Sequence, residues 1–154
     1  MSRAFVKEDN EETFDDLPER PVSQHPNYVT PEGLAQIEAE LARLGHEHAE
    51  AMVAKDRGAL ARTARDLRYW NARRATAQVL ASPTDHSEVR FGSTVTLERP
   101  DGRKQTYRVV GEDEAEPTKG TLSHVSPLAR ALMGKQVGDV VPLGGDEAEI
   151  AAIT

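Results

Sequence analysis

Residues 30–54 read TPEGLAQIEAELARLGHEHAEAMVA, and this stretch decides the architecture of the N-terminal half of the chain. Thr30 is a suitable helix N-cap, and Pro31 fits the first helical position, where its missing N–H would be unpaired in any residue. Apolar residues then recur at spacings of three and four, at Leu34, Ile37, Leu41, Leu44, Ala51 and Met52, with His48 at the intervening seam position. This pattern predicts a helix that packs along its length against one partner helix.

The partner helix follows directly in the chain. Lys55-Asp56-Arg57-Gly58 interrupts the pattern, and we expect Gly58 to take the positive φ of a tight turn. A second helix is predicted from Ala59 to about Leu80, with inward positions at Leu60, Ala64, Leu67 and Trp70 or Asn71, before Ser82-Pro83 ends it. Because a short turn makes the two helices antiparallel, residues 30–82 are predicted to form a hairpin on the order of 35 Å long.

Charge is segregated along this hairpin. The first helix carries five glutamates and one arginine, whereas the turn and second helix carry seven bases against two aspartates. Ion pairs between the helices are one explanation. The excess of bases near the tip leaves open a second one, in which the tip and second helix contact a partner.

Residues 1–29 are predicted to be an acidic, disordered arm. Seven acids stand there against three bases, and Pro18, Pro21 and Pro26 break any regular pattern. Low hydrophobicity with high charge favours disorder. One interpretation is an acidic tail that contacts only solvent. The other is an arm that lies on a basic surface of a partner.

After residue 83 the pattern changes from helical to alternating. Strands are predicted at 88–91, 93–98, 103–110, 121–125, 139–143 and 147–153, with a short helix over 126–134 that Ser126 caps and Gly134 ends. Gly92 is predicted to be a β-bulge or a bend, and residues 100–102 and 144–145 are predicted to be turns. The predicted fold class is therefore α+β: a helical hairpin over 30–82, followed over 83–154 by a small antiparallel β domain with one short helix.

Composition excludes several classes of function. The chain of 154 residues has no cysteine, so disulfides, Cys-based zinc fingers and thiol nucleophiles are excluded. Its net charge of −7 argues against general or sequence-specific nucleic-acid binding, and no apolar run suits a membrane helix or signal peptide, so a cytoplasmic protein is expected. We expect no metal site, because His46 and Glu50 form an ordinary i,i+4 surface pair. No nucleophile–base pair or phosphate loop is present, so the chain is not expected to be an enzyme.

Several segments together resemble the Gre family (GreA/GreB) of bacterial transcription elongation factors. They are the Thr30-Pro31-Glu32-Gly33 helix start, residues 77–79, 89–96 and 107–115, and Ser126-Pro127-Leu128-Ala129-Arg130-Ala131-Leu132-Met133-Gly134-Lys135 with Val137-Gly138-Asp139. The resemblance covers about residues 28–154. It implies an FKBP-like C-terminal domain that grips the rim of the RNA polymerase secondary channel and a coiled coil that points toward the active centre. By position, the polymerase contacts would be Ser126, Pro127, Leu128, Ala129, Arg130 and Leu132.

The hairpin tip departs from the family. The cleavage-stimulating members of the Gre family carry two acids at the hairpin tip. These acids help to hold a second Mg²⁺ ion, which activates a water molecule for hydrolysis of backtracked RNA. Here only Asp56 matches, and Lys55 and Arg57 beside it would repel a cation. The hairpin is also predicted to be several turns shorter than the family's, at about 5.4 Å of reach per turn.

Three functions follow from these observations. The first is a Gre-like factor that binds polymerase as a monomer and modulates elongation or transcript cleavage, with no cofactor of its own and at most an indirect role for Asp56 with Mg²⁺ at the polymerase active centre. The second is a non-catalytic, Rnk-type competitor of cleavage factors at the same site. The third, an FKBP-like prolyl isomerase, is disfavoured because aromatic residues make up only 5% of the chain.

Overall fold

A computed structural model describes residues 17–154 of the chain, which form two compact units. The first contains residues 17–24 and 36–76, and the second contains residues 25–35 and 77–154. The predicted domain limits at 29/30 and 82/83 stay predictions, and most of the predicted disordered arm, residues 1–16, lies outside the described residues. None of the helices in residues 17–154 combines the length and apolar character that crossing a membrane requires.

Two long helices make up most of the first unit. Helix α1 spans Pro31–Ala54 and helix α2 spans Arg57–Thr76, so the predicted hairpin is confirmed. The α1 seam buries Ile37, Leu44 and Ala51, as its spacing predicts. Opposite them lies Thr63, whose hydroxyl donates to the Ala59 carbonyl at 2.8 Å and contacts His48 Nδ1 at 2.7 Å. One ring nitrogen of His48 in the seam therefore has a polar partner on α2.

Three details of the predicted hairpin are wrong. Helix α2 ends at Thr76 rather than near Leu80, Gly58 lies inside it, and Met52 of the predicted α1 seam is 61% exposed. The predicted inward positions of α2 are half-buried at Leu60, Ala64, Leu67 and Trp70, the alternative Asn71 being exposed. The fully buried residues of α2 are Thr63 and Arg73, which the prediction did not include, because an apolar period does not indicate buried polar residues.

The second unit contains a five-stranded sheet with the order β5-β4-β3-β7-β6 and a separate two-stranded ladder of β1 with β2. The strands are β1 (Tyr28–Val29), β2 (Gln78–Val79), β3 (Thr94–Glu98), β4 (Lys104–Val110), β5 (Thr121–Ser123), β6 (Val140–Leu143) and β7 (Asp146–Ile153). Helix α3, Pro127–Leu132, packs on this sheet, and two single-turn 3-10 helices, Glu112–Glu114 and Pro117–Lys119, connect β4 to β5. The α+β class is confirmed.

The core of this unit follows the alternation of its strands. Val95 and Leu97 of β3, Ile150 of β7, and Ala129 and Leu132 of α3 are each completely buried. Between β3 and β4 the chain turns through Gly102 at φ +87, and between β6 and β7 through Gly144 and Gly145, both at positive φ, as predicted. One face of the sheet is therefore apolar, and helix α3 packs against that face.

The predicted sheet is corrected in three places. Residues 88–91 form no strand, although the backbone of Val89 exchanges hydrogen bonds of 2.8 and 2.9 Å with residues 134–135. Strand β5 runs parallel to β4, so the sheet is mixed rather than antiparallel. The parallel pairing of β1 with β2 was not predicted at all, because two-residue strands 50 positions apart leave no local pattern.

Candidate functional site

The hairpin tip is a tight turn whose two ends cap both helices. Lys55 adopts the left-handed conformation, φ 54, and its N–H donates to the Met52 carbonyl, while the Asp56 N–H donates to the Ala51 carbonyl at 3.0 Å. This pair of bonds is a Schellman motif, in which glycine is the usual left-handed residue. The positive φ that we expected at Gly58 is therefore carried by Lys55.

Asp56, the candidate tip carboxylate, caps the start of α2. Its Oδ1 accepts the Ala59 N–H at 3.1 Å, and its carbonyl accepts the Leu60 N–H at 2.9 Å. Lys55 and Arg57 flank it, and all three residues are exposed. Across residues 17–154 no group of three or more His, Asp or Glu side chains could hold a metal ion. Proteins bind Mg²⁺ through carboxylates, but the one carboxylate of this turn already caps α2 and lies between two positive charges that repel a cation. Asp56 is therefore a poor ligand for Mg²⁺.

The second candidate site is helix α3 with its cap. The Ser126 hydroxyl accepts the Ala129 N–H at 3.3 Å, and Pro127 occupies the first helical turn, as predicted. Burial divides the six candidate contact residues, because Ala129 and Leu132 are completely buried in the core whereas Pro127 and Arg130 are exposed. Any partner of this helix would therefore meet Pro127, Arg130 and part of Leu128, while Ala129 and Leu132 hold the helix on the sheet.

Exposed apolar side chains follow this helix in the chain. Met133 is 40% exposed, Val137 57% and Val140 52%. Residues 133–140 thus place exposed apolar surface after the cationic Arg130. The alternating pattern of Val140–Leu143 could have indicated the exposure of Val140, but nothing local indicated that of Met133.

The structure brings together two motifs whose contacting residues, Thr30 and Glu114, lie 84 positions apart in the sequence. The Glu114 carboxylate accepts the backbone N–H of Thr30 at 2.9 Å, the Thr30 hydroxyl, and the Gly111 N–H at 3.2 Å. Thr30 in turn caps α1, because its hydroxyl accepts the Gly33 N–H at 3.0 Å. The start of α1 is therefore anchored on the 3-10 turn that follows β4.

Two glycines permit this close approach. A Cβ on Gly33 would lie 2.2 Å from Glu114 Oε2, and a Cβ on Gly111 would lie 2.5 Å from the Tyr28 carbonyl oxygen. Neither glycine has a positive φ, so close packing, not backbone conformation, requires them. Close packing against Glu114 and Tyr28 therefore accounts for a glycine at each of these two positions.

A further ion pair lies beside this anchor. Arg108 of β4 approaches Glu32 at 3.6 Å. The pKa of the Glu32 carboxyl is lowered, first by a hydrogen bond from its own backbone N–H, then by the Thr30 hydroxyl and by Arg108. The first turn of α1 therefore carries an ionised carboxylate at its N-terminus, where the helix dipole favours it.

Comparison with known proteins gives consistent similarities. A family profile described as "Transcription elongation factor, GreA/GreB, C-term" matches residues 84–153. The chain is 35% identical over 132 residues to transcription elongation factor GreA of Desulfovibrio desulfuricans, an alignment that covers 73% of this chain and 82% of that protein. It is 36% identical over 128 residues to transcription elongation factor GreB of Pseudomonas aeruginosa, covering 71% of this chain and 76% of that protein.

Among solved structures, the chain is similar to GreA factor homolog 1 of Thermus thermophilus. The TM-score is 0.42 at 23% identity, and the match covers 84% of this chain and 99% of that one.

Proposed function

We propose that this chain, which belongs to the GreA/GreB family of transcription elongation factors, binds bacterial RNA polymerase at the secondary channel and modulates elongation. As a member of this family it is an elongation factor and not itself an enzyme. The proposed location is the cytoplasm, where the polymerase works, and the proposed active species is a monomer.

The observation that carries the proposal is helix α3. By the resemblance described above, its residues would correspond to the family's polymerase-contact segment. In support, Pro127 and Arg130 are exposed on a helix whose other face, at Ala129 and Leu132, is buried in the core. An arginine on a rigid helix is a common anchor of protein interfaces. Its five donors suit a carboxylate on the partner.

Binding of the wild-type chain to core RNA polymerase tests this proposal. Arg130→Glu should weaken binding by about tenfold or more, because it replaces an attractive contact by repulsion. Arg103→Glu is the matched control: Arg103 is an exposed arginine of the same unit, in a β-turn with Asp101 as its partner. No binding by the wild-type chain, or equal loss in both variants, would contradict the proposal.

A second function, the non-catalytic Rnk-type competitor, is favoured by the tip. Asp56 is the only carboxylate of the turn, it caps α2, and Lys55 and Arg57 stand on either side. Two-metal hydrolysis needs carboxylates that hold a cation, and this turn supplies one between two positive charges. We therefore propose that the factor occupies the channel without activating cleavage through Mg²⁺.

Backtracked elongation complexes distinguish the two functions. A competitor leaves the transcript at full length and reduces cleavage by an added cleavage-stimulating Gre factor in a dose-dependent way. An activator shortens the RNA, and Asp56→Ser should then abolish shortening. Serine keeps an N-cap and removes only the charge, so it separates the two roles of the aspartate better than Asp56→Ala, which also removes the cap.

A further inference from the structure

The segment Leu17–Arg20, here called the strap, lies along helix α2. Its acid contacts one arginine of the helix: Arg68 Nε donates to both carboxylate oxygens of Glu19 at 3.0 Å, and Arg68 Nη2 donates to one of them as well. A planar fork of guanidinium donors on a carboxylate is a charge-assisted contact with a defined geometry. This part of α2 therefore recognises an acidic side chain.

The next residue of the strap, Arg20, lies on a patch of three α2 residues. Its Nη1 is 3.5 Å from Asp66 Oδ1, and its guanidinium carbon is 4.0 Å from the centre of the Tyr69 ring and 5.7 Å from that of Trp70. Positions 66, 69 and 70 are neighbours on one helix face, because they are three and four residues apart. A guanidinium is attracted both to the carboxylate and to the ring faces. The patch therefore recognises a planar cation.

Leu17, at the other end of the strap, lines an apolar groove of the hairpin. The groove has a volume of about 460 Å³, and its lining includes Leu60, Ala61 and Ala64 of α2 and His48 and Met52 of α1. Leu17 is half-buried there, while Met52 remains 61% exposed. The groove therefore accepts an aliphatic side chain.

Side chains determine which segment fits this surface. The backbone N–H and C=O groups of a helix bond to one another, so they are not available to pair with a peptide. Pro18 fixes its own φ near −65° and favours an extended conformation at Leu17, which lowers the entropy that the strap loses on docking. An apolar residue, a proline, an acid and an arginine, in this order, are therefore the ligand chemistry of the surface.

The strap is held by contacts that water reaches. The side chains of Glu19 and Arg68 remain 61% and 56% exposed. Those of Arg20 and Asp66 remain 37% and 24% exposed. Ion pairs with this degree of exposure contribute little, because water screens the charges. The strap can therefore leave α2 and be replaced by another segment with the same side chains.

We propose that the face of α2 from Asp66 to Trp70, together with the groove beside Leu60, is a protein-binding surface that the strap occupies as a competitor in cis. Its external ligand is an extended segment of a partner protein, in which an apolar residue stands two positions before an acid and an arginine follows the acid. Such a segment replaces the strap contact for contact. None of these residues belongs to the proposed polymerase contact on α3.

Covalent attachment determines how strongly the strap competes. A tethered segment has an effective concentration on the order of millimolar around its site. With an intrinsic Kd on the order of 0.1 mM, about one surface in ten would be open at any time. An external segment would then bind the wild-type chain about tenfold more weakly than a chain whose strap cannot dock.

A titration of the full chain with a synthetic peptide tests the proposal. The peptide has the sequence of residues 17–24, LPERPVSQ, and the indole N–H signal of Trp70, the single tryptophan, reports its binding. Glu19→Lys with Arg20→Glu disables the strap and leaves α2 unchanged. This strap-disabled chain should bind the peptide with a Kd of about 0.1 mM, and the wild-type chain about tenfold more weakly.

Two controls test the recognised side chains. The peptide LPREPVSQ, in which the acid and the arginine are exchanged, should bind the strap-disabled chain at least about tenfold more weakly, because each charge meets a like charge. Changing the peptide leaves the fold of the protein untouched.

A matched pair of variants tests the surface itself. In the strap-disabled chain, Arg68→Glu should abolish peptide binding, and the milder Arg68→Gln should weaken it. Arg74→Glu should leave it unchanged, because Arg74 is an exposed arginine of the same helix whose distance to Glu38 is 3.9 Å and which does not contact the strap. The amide signals of α2 show whether each variant keeps the hairpin.

Three results would overturn the proposal: no binding of LPERPVSQ to the strap-disabled chain at about 1 mM peptide, equal affinity of the wild-type and strap-disabled chains, and equal affinity for the two peptides. A mixed dimer of wild-type and strap-disabled chains, formed far below the Kd of the peptide, would overturn it as well, because the surface would then belong to a second copy of the chain. No polymerase is present, so the outcome is independent of the proposed function.

Discussion

Removing the Glu114 carboxylate should release the start of helix α1 from the β domain. In Glu114→Ala the backbone N–H and the hydroxyl of Thr30 lose their acceptor, as does the Gly111 N–H, and Thr30 is completely buried. A buried donor without a partner costs about 1–3 kcal/mol, so the two donors of Thr30 alone would cost about 2–6 kcal/mol in a closed site. Glu114 is itself half-buried, so truncation admits water, and we expect the lower part of this range, about 2–4 kcal/mol.

The measurement is a urea titration of the full chain followed through the amide signals of β3, which report the second unit. Glu116→Ala is the matched control, because Glu116 is an exposed glutamate nearby whose side chain pairs only with Lys119 in the described structure, at 3.0 Å. Exposed pairs of this kind contribute about 0–1 kcal/mol, so the control should unfold close to wild type. Equal stability of the two variants would refute the anchor.

A double-mutant cycle separates the anchor from the helix cap. Thr30→Ala alone removes both the bond to Glu114 and the cap on Gly33. Because the two single variants break the same contact, the double variant should be about 1–2 kcal/mol more stable than the sum of the single losses predicts. Additive losses would show that Thr30 and Glu114 act separately, contrary to the geometry.

Three other changes have expected outcomes. Gly33→Ala should destabilise the protein by about 1–3 kcal/mol, because the new methyl group would collide with the Glu114 carboxylate. Gly45→Ala lies in open space on the same helix and should stabilise the protein by up to about 1 kcal/mol. Thermal unfolding measures both effects. Lys55→Gly should raise stability by about 0.5–1 kcal/mol in the same assay, because glycine adopts the left-handed turn without strain. Hydrogen bonds from Arg68 lower the pKa of the Glu19 carboxyl below the ordinary 4.5. The contribution of Glu19 to the contact of residues 17–20 with α2 is therefore complete above pH 4.5 and is lost only as the pH falls through the lowered pKa. The emission of Trp70, the single tryptophan, should change with a midpoint below pH 4.5, and a midpoint at or above pH 4.5 would contradict the pairing.

Local sequence patterns determined most of the secondary structure. The cap and proline at residues 30–31 and the three-four spacing placed α1, and the strand alternation with its turn glycines placed β3, β4, β6 and β7. Ser126 and Pro127 placed α3 in the same way. These features depend on residues a few positions apart, so their physical causes are present in any short stretch of the chain.

Only the tertiary structure decided which distant groups meet. It paired β1 with β2 and β5 with β4 in parallel, and it placed Glu114 over Thr30 and Gly33. At the candidate sites, the sequence indicated Asp56 and residues 126–132, but only the fold separated the buried Ala129 and Leu132 from the exposed Arg130. Hydrogen-bond partners and burial depend on how elements come together in space, and sequence periodicity records only which face of an element is apolar, not what that face meets.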